Sequence, residues 1–227
     1  MDTPLVLLHG WAGSFVHTWQ RSGLVDLLQD AGRNVLAYDL PGHGTAEKSH
    51  DPASYAQMPE AFLAHLDGHS VVDAVGFSLG AITLLHALVA APHRFRKVIL
   101  AGIGDGVFQP HDPQNSERIL AGLEGRSEPG DITARIFGKI GNEPHNDAKA
   151  LAAVLRRPRS APVTQEQLAL LPQQVLVVIG DKDFSRPADR LAGALPNARL
   201  LTLKGIDHFR TPDTFEFIDA VLDFLRT

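Results

Sequence analysis

Short apolar runs recur along the chain at intervals that predict strands alternating with helices. The runs occupy residues 5–8, 34–38, 70–77, 97–101, 174–179 and 198–203. Runs of this length, bounded by glycine, proline or polar residues, are typical of buried strands. Because segments with helical spacing separate most of them, we predict about six parallel strands covered by helices on both faces.

The segments between the runs carry apolar residues at helical spacing. We predict helices over 18–31, 52–66, 79–91, 187–195 and 211–225. Gly32 is expected to end the first of these helices, and Pro59 to break or kink the second. Thr211 is expected to be the N-cap of the last helix, with Pro212 at its first position.

The alternation of strands and helices fails between Ile103 and Leu171. Helical spacing over 131–140 and 146–156, and a capping box that begins at Thr164, predict three helices and no strand there. Since the segment begins after the fourth strand and ends before the fifth, we expect it to cover one edge of the sheet. The predicted organisation is a core of residues 1–102 and 172–227 with a helical lid at 103–171.

The sequence Gly76-Phe77-Ser78-Leu79-Gly80 lies where the third predicted strand meets the next helix. This context is typical of a nucleophile elbow, and an ordinary glycine-rich turn is the alternative. Glycine is needed two residues either side of the serine, because a β-carbon there would collide with the crossing chain. The turn would direct the Ser78 hydroxyl above the sheet, with the N–H of Leu79 available to an oxyanion.

Several polar residues follow the ends of predicted strands, and in a parallel sheet these ends meet at one edge. His9 follows the first strand, Ser78 the third, Asp183 the fifth and His208 the sixth. A serine hydroxyl needs an adjacent base, and a carboxylate must hold that base in one tautomer. Of the 11 histidines, His208 is the one that follows a late strand, so we predict it to be the base.

Three carboxylates compete for the role of the acid. Asp181 and Asp183 lie two residues apart in the loop after the fifth strand, whereas Asp105 follows the fourth. A turn residue that bonds its own backbone is the alternative role for Asp181. Asp207, adjacent to His208, would point elsewhere if His208 faces the serine.

Five motifs together resemble those of the α/β-hydrolase superfamily, in its esterase/lipase-like and C–C hydrolase-like branches. The motifs are His9-Gly10-Trp11, Leu40-Pro41-Gly42-His43-Gly44, Gly76-Phe77-Ser78-Leu79-Gly80, Gly180-Asp181-Lys182-Asp183 and Gly205-Ile206-Asp207-His208. The last three carry the serine, the acid and the histidine in the order that the family has them. The resemblance covers nearly the whole chain and favours Asp183 as the acid. It also implies that the backbone N–H of Trp11 joins that of Leu79 in the oxyanion hole.

The resemblance implies an α/β-hydrolase fold, with one departure at the N-terminus. Most members carry one or two further strands before the H-G loop, whereas only Met1 to Pro4 precede the first strand here. We therefore expect a sheet reduced to about six parallel strands. The lost strands would lie far from the catalytic edge.

Aromatic side chains near the predicted site are expected to line a substrate pocket. We predict Trp11, Phe15, Phe77 and Phe108 as substrate-binding residues. Trp19 is at least as well explained as a core residue. Arg186 would either meet an anionic substrate group or be a solvated surface arginine.

Composition excludes several classes of function. The net charge is -5 over 227 residues, with no Lys/Arg-rich run, which argues against a nucleic-acid partner. The absence of cysteine excludes disulfides, thiolate catalysis and Cys-ligated zinc. No apolar run approaches the roughly 20 residues of a membrane span, and no secretory signal is evident. We expect a cytoplasmic monomer or homodimer that acts on a small molecule without a metal or an organic cofactor.

The predicted function is hydrolysis of carboxylic esters of small or medium acyl groups through a Ser-His-Asp triad. The same triad would also serve cleavage of a C–C bond, a thioester or an amide, or lyase chemistry. A haloalkane dehalogenase is disfavoured, because that chemistry needs a carboxylate in place of Ser78. A non-catalytic ligand-binding protein is the third hypothesis, and it predicts a broken triad or a filled pocket.

Overall fold

Six parallel strands form one sheet within residues 3–226, the part of the chain that this computed structural model describes. The strand order is β2-β1-β3-β4-β5-β6, with β1 at Leu5–Leu8, β2 at Val35–Leu36, β3 at Val72–Phe77, β4 at Phe95–Ala101, β5 at Gln174–Gly180 and β6 at Ala198–Leu203. All five pairings are parallel, which confirms the predicted sheet. The expectation of a shortened N-terminus rests partly on Met1 and Asp2, which lie outside the described residues.

Helices cover both faces of the sheet. In chain order they are α1 (Leu24–Asp30), α2 (Met58–His65), α3 (Leu79–Ala90), α4 (Pro113–Leu123), α5 (Ile132–Gly141), α6 (Ala148–Arg156), α7 (Gln165–Ala169), α8 (Asp189–Ala194) and α9 (Phe215–Leu225). Alternate residues of β1 show the two-sided burial: Leu5 and Leu7 pack with α1 and α9, whereas Val6 and Leu8 pack with α2, α3 and α8. The whole of β1 is therefore apolar, as its run of four residues predicted.

The first two predicted helices are interrupted in the structure. A π-helical turn spans Phe15–Gln20, and α1 begins only at Leu24, after Gly23 with φ +79°. The segment that follows Asp51 is a 3-10 turn, and α2 begins at Met58. Of the predicted break or kink at Pro59, the structure has the break: the stretch divides between Tyr55 and Met58, and Pro59 lies in the first turn of α2, where its missing N–H removes no hydrogen bond.

The last helix begins later than predicted. Thr211 opens a 3-10 turn that contains Pro212 and ends at Asp213, and α9 starts at Phe215. Thr214 is the N-cap, since its Oγ1 accepts a hydrogen bond from the N–H of Phe217 at 3.3 Å. Two threonines in this stretch have capping chemistry, and the sequence pattern selected the wrong one.

The segment between β4 and β5 contains α4 to α7 and no strand among the described residues. The predicted helices over 131–140 and 146–156 correspond to α5 and α6, and the capping box at Thr164 opens α7. The pattern gave no prediction of α4. It packs closely on α5, because a β-carbon at Gly122 would lie 1.9 Å from the carbonyl oxygen of Ala134.

Candidate active site

Ser78 occupies the turn between β3 and α3 in a strained conformation. Its φ is 52° and its ψ is -115°, a region that residues other than glycine rarely adopt. A β-carbon at Gly76 would lie 2.7 Å from the Cα of Ala81, and one at Gly80 would lie 2.3 Å from the carbonyl oxygen of Leu8. Both glycines are therefore required by backbone contacts, and together they hold the strand, the turn and the helix in this arrangement.

The structure brings Ser78, His208 and Asp183 together at the carboxyl edge of the sheet. The His208 Nε2 lies 3.0 Å from the Ser78 Oγ. The Nδ1 of the same ring lies 3.0 Å and 2.9 Å from the two carboxylate oxygens of Asp183. Because a carboxylate only accepts hydrogen bonds, Nδ1 must carry the proton, which leaves the Nε2 lone pair facing the serine hydroxyl.

The environment of this hydrogen-bond chain restricts its movement. His208 and Asp183 are both buried, at 3% and 4% exposure. The N–H of Ser185 also donates to the Asp183 carboxylate at 2.7 Å, so the carboxylate is fixed from two sides. A carboxylate that is held in this way keeps the imidazole in one orientation.

The three other carboxylates near the site have different partners. Asp105 accepts hydrogen bonds from the N–H groups of Arg190 and Leu191, at the start of α8. Asp181 accepts from the N–H of Gly205 at 2.7 Å, which links the β5 loop to the loop that carries His208. Asp207 accepts from the N–H of Arg210. Among the carboxylates of residues 3–226, only that of Asp183 contacts the imidazole of His208.

Two backbone N–H groups are free beside the serine. Leu79 is the first residue of α3, so its N–H has no carbonyl one turn earlier in the helix. Among the described residues, the N–H of Trp11 has no hydrogen-bond acceptor. The loop of Trp11 adjoins the serine, since a β-carbon at Gly10 would lie 3.4 Å from that of Ser78. An oxyanion between these loops would have two donors available.

His9 and His43 lie beneath the site as neutral structural groups. The His9 Nε2 accepts a hydrogen bond from the N–H of Leu40 at 3.1 Å, and its Nδ1 donates to the carbonyl of Gly10. Burial lowers the pKa of His9 to about 4 and, with the help of neighbouring His9, that of His43 to about 3. His9 therefore positions the loop that ends in Trp11, as a buried hydrogen-bonding residue.

Aromatic rings that the sequence pattern did not single out surround the imidazole. The Phe184 ring lies 4.3 Å from that of His208 between centroids, and the Phe209 ring packs against His208 edge-on at 5.7 Å. The ring of Phe137 in α5 packs edge-on against both phenylalanines, with centroids 6.0 Å from that of Phe184 and 5.0 Å from that of Phe209. The sequence could have indicated these two rings, because Phe184 directly follows Asp183 and Phe209 directly follows His208.

Two of the predicted pocket residues lie elsewhere. Phe15 is 8% exposed and belongs to the core cluster under α1 and α9, so its prediction as a substrate-binding residue is corrected. Phe108 lies beneath the guanidinium of Arg190, 4.3 Å from its ring centroid, and does not line the cavities at the serine. Trp11 and Phe77 do line them.

Two cavities meet at Ser78. The larger, of about 510 Å³, is lined by Trp11, Leu79 and side chains from α3 and from the inserted helices. The smaller, of about 190 Å³, is lined by Gly10, Phe77 and His208. Within residues 3–226, no group of three or more His, Asp or Glu side chains is arranged to hold a metal ion.

The sheet, the elbow and the order of the site residues define the class of protein. Residues 3–126 match the model of the family described as the alpha/beta hydrolase fold. The match covers more than half of the chain, and the chain belongs to this family. In the described part of the chain, every helix is too short or too polar to traverse a bilayer.

Relatives with names include hydrolases of two kinds. An esterase of Mycobacterium tuberculosis is 28% identical over 152 residues, which is 65% of this chain and 49% of that protein. The chain thus spans about half the length of that relative. A Pseudomonas putida protein named 2-hydroxy-6-oxononadienedioate/2-hydroxy-6-oxononatrienedioate hydrolase 2 is 28% identical, over 98% of this chain and 87% of its own.

Solved structures share the fold at low sequence identity. The enol-lactonase from Burkholderia xenovorans LB400 matches with a TM-score of 0.77 at 19% identity, over 100% of this chain and 93% of that one. A 2-hydroxy-6-oxo-6-phenylhexa-2,4-dienoate hydrolase from Rhodococcus matches with a TM-score of 0.73 at 23% identity, over 99% and 91%. At this identity the likeness concerns the fold alone.

Proposed function

We propose that this chain is a serine hydrolase that cleaves carboxylic esters of small or medium acyl groups. Ser78 is the nucleophile, His208 the general base and Asp183 the residue that orients it. The observation that carries the proposal is the buried imidazole between a serine on a strained elbow and a carboxylate, with contacts of 3.0 Å and 2.9 Å. A hydroxyl in contact with an oriented imidazole is an activated nucleophile.

Acylation follows from this geometry. The Ser78 Oγ attacks the ester carbonyl carbon while its proton moves to His208 Nε2, and the carbonyl oxygen becomes an oxyanion. The N–H groups of Trp11 and Leu79 stabilise that oxyanion. As the intermediate collapses, the C–O bond to the alcohol breaks, and His208 gives its proton to the leaving oxygen. The products of this half are an alcohol and an ester of Ser78.

Deacylation uses the same groups with water as the nucleophile. His208 takes a proton from the water as it attacks the acyl carbon, and a second oxyanion forms at the same two N–H groups. Collapse breaks the bond to Ser78 Oγ, which receives the proton from His208. Asp183 stays ionised throughout and stabilises the imidazolium that forms twice in each cycle.

We also propose that residues 103–171 act as a lid over a core of residues 1–102 and 172–227. The contacts between the two parts support this assignment. The indole N–H of Trp11 donates to the carbonyl of Leu151 at 3.1 Å, and the side-chain amide of Asn146 donates to the carbonyl of Ala12 at 3.0 Å. One bond comes from α6 and the other from the loop before it, and both reach the loop of the proposed oxyanion hole, so a shift of the lid would move that loop.

The direct test is the hydrolysis of p-nitrophenyl acetate and butyrate by wild type and Ser78→Ala. Removal of the nucleophile is expected to reduce kcat by several orders of magnitude, on the order of 10⁵ or more. Equal melting temperatures for the two proteins would show that the loss is chemical. Full retention of activity by the folded variant would remove Ser78 as the nucleophile.

Hydrolysis of a C–C bond is a second candidate reaction. The favouring observation is the similarity, over 98% of this chain, to a relative whose name describes a dienedioate hydrolase. The same serine, imidazole and oxyanion donors serve both bond types. Comparison of kcat/KM for p-nitrophenyl esters and for a 2-hydroxy-6-oxo-dienoate distinguishes them.

A further inference from the structure

The larger cavity at Ser78 has an unbalanced charge. Among the described residues that line it there are three arginines and two histidines, but no aspartate or glutamate. The arginines are Arg118, Arg157 and Arg159, and the histidines are His86 and His111. The chain as a whole carries a net charge of -5, so this concentration of arginines is a local property of the cavity.

Arg157 is buried without a counter-ion. It follows the last residue of α6, is 9% exposed, and donates to the carbonyl of Val154 at 2.7 Å. Among the described residues it has no carboxylate within ion-pair distance. Burial, followed by the charge of Arg159, lowers the pKa of Arg157 to about 9, so the guanidinium is still charged at neutral pH.

Arg159 adds a second cation with an unused donor. Its terminal nitrogen donates to the Ser116 Oγ at 3.1 Å and to the carbonyl of Leu155 at 2.9 Å. Its Nε is buried and has no hydrogen-bond partner among the described residues. Arg118 differs, because it is exposed and forms an ion pair with Asp131. Two of the three arginines therefore lack an anion.

We propose that the substrate carries a carboxylate in addition to the bond that is cleaved, and that this carboxylate binds Arg157 and Arg159. A buried charge without a partner is costly, and an anion in the cavity would remove that cost. The planar guanidinium matches a carboxylate through paired N–H donors. This proposal rests on the proposed hydrolase function, and it names the substrate class.

The carboxylate belongs to the acyl part of the substrate. His208 must protonate the leaving group, so the leaving group lies on the side of the imidazole. The smaller cavity is lined by His208, whereas the larger is not, although Ser78 lines both. An alcohol of modest size therefore occupies the cavity of about 190 Å³, and an acyl chain with a terminal carboxylate occupies that of about 510 Å³.

The kinetic test compares anionic and neutral esters of matched length. The anionic series contains the monomethyl esters of the straight-chain dicarboxylic acids from succinic to suberic, and methyl heptanoate is the neutral match for monomethyl adipate. In a pH-stat assay, kcat/KM for the best anionic ester should exceed that for its neutral match on the order of 10- to 100-fold. A neutral ester that is cleaved as well as every anionic one would overturn the proposal.

Variants separate a binding role from a structural one. Arg157→Met and Arg159→Met should each lower the ratio of anionic to neutral kcat/KM, and Arg157→Lys should recover part of it. Arg118→Met is the matched control in the same cavity, since its charge is already paired, and it should leave the ratio unchanged. If both substrates decline together in Arg157→Met and Arg157→Lys, the arginine is structural and the proposal is wrong.

A binding measurement separates this proposal from the hydrolase proposal. Calorimetry of Ser78→Ala protein with the same monomethyl esters of dicarboxylic acids measures their binding without catalysis. Binding that weakens with added salt and with Arg157→Met supports the anionic site even if no ester is hydrolysed by wild type. Absence of binding, beside normal hydrolysis of neutral esters, rejects the anionic site and leaves the hydrolase proposal standing.

Discussion

Individual carboxylates at the edge of the sheet are distinguished by what they contact. Asp183 accepts from the imidazole of His208, whereas Asp181 accepts from a backbone N–H at Gly205 and Asp105 from two at the start of α8. The residues alone left the choice among these aspartates open, because all three lie in loops at the same edge. Side-chain direction within a loop is set by backbone angles that no spacing rule specifies.

The first residue-scale prediction concerns Asp183→Asn. The amide keeps the shape of the carboxylate but no longer requires the His208 Nδ1 to carry the proton, so the wrong tautomer faces Ser78. We expect kcat for p-nitrophenyl butyrate to decrease by about 10³- to 10⁴-fold, with KM little changed. Asp181→Asn, two residues away, is the matched control and should lose less than about tenfold. The reverse order of losses would make Asp181 the acid.

The buried histidines beneath the site make stability depend on pH. In the unfolded chain a histidine titrates near 6.5, whereas burial lowers the pKa of His43 to about 3 and that of His9 to about 4. At pH values between the folded and unfolded pKa values, the unfolded state binds protons that the folded state does not. The free energy of unfolding therefore falls as pH decreases below 6.5.

The second prediction is a weaker pH dependence in His43→Asn. Removal of this group should reduce the loss of unfolding free energy between pH 7.5 and pH 5 by about 2 kcal/mol. Urea denaturation at the two pH values measures the effect. His93→Asn, at an exposed position, should leave the pH dependence as it is in wild type. Parallel pH profiles for wild type and His43→Asn would contradict the assignment.

The positions of side chains were predictable where a motif fixes both backbone and side chain. Ser78, His208 and Asp183 lie in the predicted contact, because each follows a strand of one parallel sheet. Phe15 and Phe108 were wrongly placed in the pocket, since proximity in sequence to a motif does not determine the face on which a ring lies. Arg157 gave no signal, because its burial depends on packing of the inserted helices.

At the scale of elements, the elbow is constrained by close backbone contacts on both sides of the serine. The start of α3 crosses β1 so closely that a β-carbon at Gly80 would meet two carbonyl oxygens, of Leu8 at 2.3 Å and of His9 at 2.5 Å. Both neighbours are backbone of a buried strand end and have no room to move. The sequence predicted this crowding correctly, because the requirement for glycine is the origin of the motif.

The element-scale prediction compares two helical glycines. Gly80→Ala should destabilise the protein by about 3 kcal/mol or more, because α3 must move away from β1. Gly193→Ala in α8 is the control, since a β-carbon there meets nothing within 4 Å. It should be neutral or stabilising by up to about 1 kcal/mol. Urea denaturation of both variants measures the two changes in the free energy of unfolding. Similar values for the two variants would contradict the close crossing of α3 and β1.

Element boundaries were less predictable than the elements themselves. β1 and β6 end where the apolar runs end, whereas β2 is only two residues long, at Val35–Leu36. The helix starts near Pro59 and Thr211 were misjudged, because several residues in each stretch have capping or starting chemistry. Which of them is used depends on where the helix must pack, and that is a tertiary constraint.

At the scale of the whole molecule, the hydrogen-bonded chain of Ser78, His208 and Asp183 lies at the edge of the sheet, and the inserted helices line the larger cavity. Ser78, His208 and Asp183 all follow strands, whereas Arg157 and Phe137 come from the insertion. The proposed catalytic groups therefore lie in the part of the fold that the sequence predicted well. We propose that substrate choice depends on residues 103–171, where the sequence predicted helices but not their packing.

The central claim is that Ser78 is activated by His208, and labelling with a fluorophosphonate tests it most directly. Intact-mass spectrometry of the wild-type protein should show one adduct, with peptide mapping to Ser78. Ser78→Ala should show no adduct, and His208→Gln should react far more slowly. A folded wild-type protein that remains unlabelled, or one labelled equally with and without Ser78, would contradict the account.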